Sequence, residues 1–282
     1  MVVRGVSLTL AAVAAAVAVS AAHAAPRASL PLRLDLVDTS RVLKLPGGRR
    51  VPRPLATSLW YPSSGSGPWP LVVFAHGFRS LPGTYARLLR AWADAGYVVA
   101  APIFPGESAD APGGPEREDL VNEPRDVSFV ISRLLAPDSP LHGVIDPLRI
   151  AVAGQSDGAM TAFATAYDRP WRDPRVRAAI VLSGAQLGGR VEAGPPLLAV
   201  TGTADEINAP ANTIALFDAV ARPKFLLLLR GAPHLAPFTR PGLWLATVEK
   251  VSTAFLAHYL GDGPLDAVAK AASGGGSLTA EP

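Results

Sequence analysis

The sequence has no cysteine among its 282 residues. That absence excludes disulfide bridges, thiolate-held zinc, iron–sulfur clusters and a cysteine nucleophile, and it leaves covalent chemistry to Ser, Thr, Lys, Asp, Glu, His or Tyr. Charge is sparse as well: charged residues are 17% of the chain, and 26 basic against 23 acidic residues leave a formal +3. The densest basic stretch, Arg49, Arg50 and Arg53, is broken by Pro52 and Pro54 and has no interleaved aromatics. No nucleic-acid partner is expected from such a pattern. Glycine and proline together are about a fifth of the residues, short of the roughly 25–30% that marks low-complexity disorder. With 49% hydrophobic residues, the chain has the material for a large buried core.

Long apolar runs are missing except at the start. Residues 1–24 carry one charge, at Arg4, then an uncharged stretch rich in Leu, Val and Ala that closes on Ala22-His23-Ala24. Small residues at Ala22 and Ala24 suit a signal peptidase, and the stretch is weakly hydrophobic for a permanent anchor. The expectation is a signal peptide over 1–24, a secreted or periplasmic protein, and no stable membrane anchor after cleavage. Residues 25–262 are then expected to form one domain. The end, from Ser273-Gly274-Gly275-Gly276-Ser277 to Pro282, is flexible by composition, and residues 263–282 are expected to be a loose tail.

Between these ends two periods alternate. Short aliphatic runs at 32–37, 57–61, 71–75, 97–101, 149–153, 178–182, 197–200 and 225–229 are bounded by turn residues, and the later ones are continuous, as in strands buried on both faces. Helical patterns lie between them at 85–95, 124–135, 159–167, 212–220 and 243–260. Strand–helix alternation implies right-handed crossovers and an α/β fold with a mostly parallel, eight-stranded sheet covered by helices on both faces. The first two strands, joined through Pro46-Gly47-Gly48, suit an antiparallel edge hairpin.

One strand runs directly into a reactive motif. Arg149 to Ala153 leads into Gly154-Gln155-Ser156-Asp157-Gly158 and then into a helical pattern, the strand–turn–helix setting in which G-x-S-x-G exposes a serine above a sheet edge. Serine needs a base, and the base an orienting acid. Of five histidines, His23 lies in the leader, His258 on the last helix, His142 in a loop before the serine strand and His76 in an earlier turn, where a structural hydrogen-bonding role is expected. His234 follows the strand at 225–229 through Arg230-Gly231-Ala232-Pro233, and Asp205 follows the preceding strand, with Glu206 beside it as a rival acid. The order Ser156, Asp205, His234 is that of an α/β-hydrolase sheet. A tetrahedral oxyanion would need backbone N–H donors, for which Asp157 and Phe78 are the candidates. Phe78 is also a candidate wall of the substrate site. The Asp157 carboxylate would repel an oxyanion unless it faced the helix N-terminus and pointed away.

With these residues in view, the chain resembles secreted serine α/β-hydrolases grouped with bacterial dienelactone-hydrolase-like, chlorophyllase-like and platelet-activating-factor-acetylhydrolase-like esterases. The resemblance spans roughly residues 55–260. It rests on Phe74-Ala75-His76-Gly77-Phe78, on Asn122-Glu123-Pro124-Arg125-Asp126-Val127-Ser128-Phe129-Val130, on the serine motif, and on the turns ending at Asp205 and His234. It implies carboxylic-ester hydrolysis through an acyl-enzyme, with Ser156 as nucleophile, His234 as base, Asp205 as acid, Phe78 and Asp157 as oxyanion donors, and no metal or organic cofactor. A small or extended ester is the implied partner. Two departures bear on substrate. True dienelactone hydrolases use a cysteine that this chain lacks, and Asp157 and Ser183-Gly184-Ala185-Gln186 stand where polyester hydrolases usually carry an apolar residue and sometimes a Trp. Acyl transfer, polyester hydrolysis and a non-catalytic binding role are the other readings. The short connection between the strands ending at 182 and starting at 197 leaves no room for a helical cap, so the cleft is expected to be open, with residues 102–120 at its border.

Overall fold

The central strands are buried along nearly their whole length, Val98–Pro102 and Leu197–Gly202 at every residue, because helices cover both faces of the sheet. The computed structural model describes Met1 and residues 31–282; the leader expected over 1–24 lies, Met1 apart, outside the described residues. Nine strands form the main sheet: β1 (Leu32–Lys44), β2 (Arg50–Trp60), β3 (Trp69–Ala75), β4 (Val98–Pro102), β5 (Ile145–Gln155), β6 (Val176–Leu182), β7 (Leu197–Gly202), β8 (Lys224–Leu229) and β9 (Ser277–Glu281). Their order is β1-β2-β4-β3-β5-β6-β7-β8-β9. The six from β4 to β8 run parallel, while β1, β2 and β9 are antiparallel additions at the two edges. The edge hairpin expected at the start is present, with a bulge between Asp38 and Val42.

Alternation along each strand sorts the core into two layers. Val72 and Phe74 of β3 and Ala151 and Ala153 of β5 face α1 (Ala86–Asp94) and α6 (Leu243–Tyr259). Leu71, Val73, Ile150 and Val152 face α2 (Glu123–Leu135), α3 (Asp157–Tyr167) and α4 (Pro210–Ala219). Each Val, Leu, Ile or Phe among these contributes about 1.5–3 kcal/mol by leaving water. Two short helices complete the chain, α5 (Ala236–Thr239) and α7 (Asp266–Ala271). No helix of the described residues is long and apolar enough to cross a membrane.

The C-terminus corrects the sequence reading. Residues 263–282 are not a loose tail: α7 packs Val268 into the first core layer, and β9 pairs antiparallel with β8 from Lys224↔Glu281 to Leu228↔Ser277. This is the ninth strand of a sheet expected to have eight. The glycines read as flexible are there for close approach. A Cβ on Gly275 would collide with the Thr247 side chain, and one on Gly276 with the Leu228 carbonyl oxygen. Composition records the glycines but not the surface they lie against.

Candidate active site

The parallel register brings five turns to one edge of the sheet. Ala75 pairs with Gly154, Gln155 with Leu182, Leu182 with Val200, and Leu229 with Gly202, so the segments after β3, β5, β6, β7 and β8 emerge side by side. Ser156 sits between β5 and α3 with φ 58° and ψ −121°, a backbone region that costs a non-glycine residue about 1–3 kcal/mol. Neighbours hold it there. Its N–H donates to the Leu182 carbonyl at 3.0 Å, and the flanking glycines let α3 lie directly on the sheet: a Cβ on Gly154 would strike the Gly158 carbonyl, and one on Gly158 the Ala75 carbonyl. The half-buried serine therefore stands at the N-terminus of an eleven-residue helix.

Asp205 and His234 meet across the ends of β7 and β8. Both are buried, and the imidazole Nδ1 lies 2.8 Å and 3.0 Å from the two Asp205 oxygens. The Asp205 Oδ1 also accepts from Ile207 N–H and Asn208 N–H, at 3.0 Å and 2.8 Å, which fixes the carboxylate in one orientation. Glu206, the rival acid, is exposed. With Nδ1–H donated to Asp205, Nε2 keeps its lone pair. Among the described residues Ser156 Oγ has no hydrogen bond to that nitrogen. Gln155 Nε2 stands 3.2 Å from it and also donates to the His234 carbonyl at 3.2 Å. The Gln155 amide is itself anchored, its oxygen accepting from Tyr85 O–H at 2.8 Å.

His76 and Phe78 occupy the turn after β3. His76 is fully buried, accepts from Phe104 N–H at Nε2 (3.1 Å) and donates from Nδ1 to the Gly77 carbonyl (3.0 Å). Burial pushes its pKa down to about 4, so it is a neutral structural residue at pH 7, as its position suggested. His142 is exposed, and His258 donates to the Gly263 carbonyl at 2.7 Å on the far side of α6. Phe78 is half-buried in the turn facing the elbow; a Cβ on Gly77, just before it, would press on Gln155 and the Ser156 side chain.

Asp157 is where sequence reasoning fell short. Its carboxylate is not left to the helix dipole: Arg117 Nε donates to Oδ2 at 2.7 Å and Nη2 to Oδ1 at 2.9 Å, while the same guanidinium lies 5.2 Å from the Phe78 ring centroid. Arg117 opens the 3₁₀ helix Arg117–Asn122 at the end of the connection between β4 and α2, and nothing in its local pattern marks it. Two further acids, Glu107 and Glu123, are buried nearby. Thr161 O–H donates to Glu123 Oε2 at 2.6 Å, but no donor among the described residues reaches Glu107. Burial first and the Asp157 charge second push Glu107 up to about 8, and burial with Glu107 raises Glu123 well above the ordinary range. Both shifts favour the protonated, uncharged form at neutral pH.

A cleft of about 230 Å³ opens over the serine, lined by Ser156, Arg117, Leu120, Met160, Ser183 and Ile207 among others. The segment expected to border the site does so through Arg117 and Leu120. No helical cap covers it; residues 183–196 hold only the short strand Arg190–Val191. A larger hollow of about 560 Å³ beside the β1–β2 turn does not include the serine.

Residues 38–211 match the protein-family model described as Chlorophyllase. Among solved structures, the fold is similar to that of a ferulic acid esterase from Streptomyces cinnamoneus, with a TM-score of 0.66 and 24% identity over 92% of this chain and 98% of that one. No curated protein matches the chain.

Proposed function

The chain belongs to the chlorophyllase family, and from that premise we propose that it is a carboxylic-ester hydrolase in which Ser156 is acylated and then released by water. The observation that carries this reading is the buried Asp205–His234 pair at the same sheet edge as the strained Ser156 turn. Asp205 accepts Nδ1–H and so holds the imidazole in the tautomer whose Nε2 can take a proton. As Ser156 Oγ attacks the ester carbonyl, its proton passes to Nε2, displacing the Gln155 amide. The imidazolium stays paired with Asp205 and then gives that proton to the departing alcohol. Water enters, loses a proton to Nε2, and attacks the acyl-enzyme; collapse of the second tetrahedral state returns the proton to Ser156 and frees the acid.

Charge on the tetrahedral oxygen needs donors already in place. Asp157 N–H belongs to the first turn of α3, where backbone donors have no intrahelical acceptor, and Phe78 N–H lies in the facing turn. The uncapped cleft suits an ester of which one side is gripped while the other extends into solvent. Removal of residues 1–24 on export belongs to the same proposal, and N-terminal sequencing of the exported protein checks it.

The decisive measurement is turnover of a panel of p-nitrophenyl and bulkier esters by wild type and Ser156→Ala. A folded Ser156→Ala protein should lose at least about four orders of magnitude in kcat. Wild-type rates from it would overturn the reading.

A further inference from the structure

The oxyanion donor Asp157 brings its own difficulty with it. The N–H that would bind a developing negative charge and a carboxylate are carried on the same Cα, and that carboxylate is 5% exposed, with little water to screen it. Its surroundings are acidic. Glu107 and Glu123 are buried carboxyls that supply no positive charge, and the cations Arg53 and Arg41 are committed elsewhere: Arg53 is bound to Asp119 and Asp126, and Arg41 to Asp38 and Asp126. The cation in contact with Asp157 is Arg117, through two parallel bonds of 2.7 Å and 2.9 Å.

Arg117 is held for this contact. Its side chain is 61% exposed, so its own burial does not explain the pairing. Residues on both sides tether it: Glu116 N–H donates to the Gly106 carbonyl at 2.7 Å, and Asp119 is gripped by Arg53 at 2.9 Å and 2.6 Å. The Phe78 ring lies against the guanidinium. One side chain thus touches both residues whose N–H groups form the proposed oxyanion hole.

We propose that Arg117 is a positioning residue for the reaction, acting through Asp157: it turns the carboxylate toward segment 103–122 and neutralises it, so that the oxyanion hole remains a site for negative charge. This inference rests on the serine mechanism proposed above. A bidentate guanidinium suits the task because its planar fork fixes the carboxylate's orientation as well as its charge, which a lysine ammonium does not.

The test is a double-variant cycle read in kcat and KM. Arg117→Ala should lower kcat by roughly 30- to 100-fold and change KM by less than about threefold, because the unpaired carboxylate acts on the transition state. Arg117→Lys should recover part of the loss. Arg117→Ala/Asp157→Asn should recover most of it, to within about fivefold of wild type, since no charge is left to neutralise. A loop-bracing role would leave the double variant as slow as Arg117→Ala, for both lack the ion pair, and that outcome overturns the proposal. So does an Arg117→Ala kcat within twofold of wild type while Ser156→Ala is inactive. Activity surviving in Ser156→Ala would strike at the serine reading instead, so the two failures are distinguishable.

Discussion

Two histidines stand at the same edge of the sheet, His76 in the turn after β3 and His234 in the turn after β8, and their partners differ in kind. His76 is enclosed by backbone: an amide donates to one ring nitrogen and a carbonyl accepts from the other, while Phe104 packs 4.9 Å from its ring. No carboxylate is paired with the ring, and burial outweighs the Gly77 carbonyl in keeping it uncharged. His234 has a carboxylate on Nδ1 and leaves Nε2 toward the serine turn. Similar burial therefore permits opposite uses: one ring is kept neutral and fastens two turns, while the other has a counter-ion and, in the mechanism proposed above, gains and loses a proton.

That contrast can be broken most sharply by truncating each ring. His234→Ala should lower kcat by on the order of 10⁴–10⁶ with little change in Tm. His76→Ala should do the reverse, losing roughly 2–4 kcal/mol of stability from two unpaired backbone groups while keeping the greater part of its turnover. Steady-state kinetics beside thermal unfolding decides the matter, and equal kinetic losses would abolish the distinction. The next effect concerns the counter-ion. Asp205→Asn should cost about 10⁴ in kcat by favouring the wrong tautomer, whereas the exposed Glu206→Gln should stay within twofold of wild type.

The smallest effect is in the pH dependence of folding. His76 titrates near 4 in the folded protein against an ordinary 6.5, so between these values the unfolded chain binds more protons and stability rises with pH. The contribution is fully present above about pH 6.5 and is lost as pH falls through 4, amounting to about 3 kcal/mol. Glu107, raised to about 8, acts in the opposite sense, its contribution present below its ordinary value and lost as pH rises through 8. Denaturant titrations of wild type and His76→Gln between pH 4 and 7 should show the acid slope flattened in the variant. An unchanged slope would place the acid sensitivity elsewhere.

Much of this architecture is legible in the chain, for reasons that can be stated residue by residue. The runs at 149–153 and 178–182 read as doubly buried strands because, after Arg149, no polar residue interrupts them until the turn, and they lie in β5 and β6. Gly154 and Gly158 announce the elbow because a side chain at either would collide with backbone. The tail was misread because Gly274-Gly275-Gly276 has the same composition in a linker and in a tight packing turn; only the presence of β8 as an unpaired edge makes β9 a strand. Arg117 was missed because its partner is 40 residues away and its own segment has no periodicity.

The sequence by itself determined the strand–helix order, the serine turn and the candidates for base and acid, since each depends on neighbours within a few residues and on the steric needs of glycine. Only the tertiary structure decided that Asp205 rather than Glu206 reaches His234, that His76 is neutral, and that Asp157 faces Arg117. Those outcomes depend on distance and burial between segments remote in the chain, and the interaction of charges is set by both.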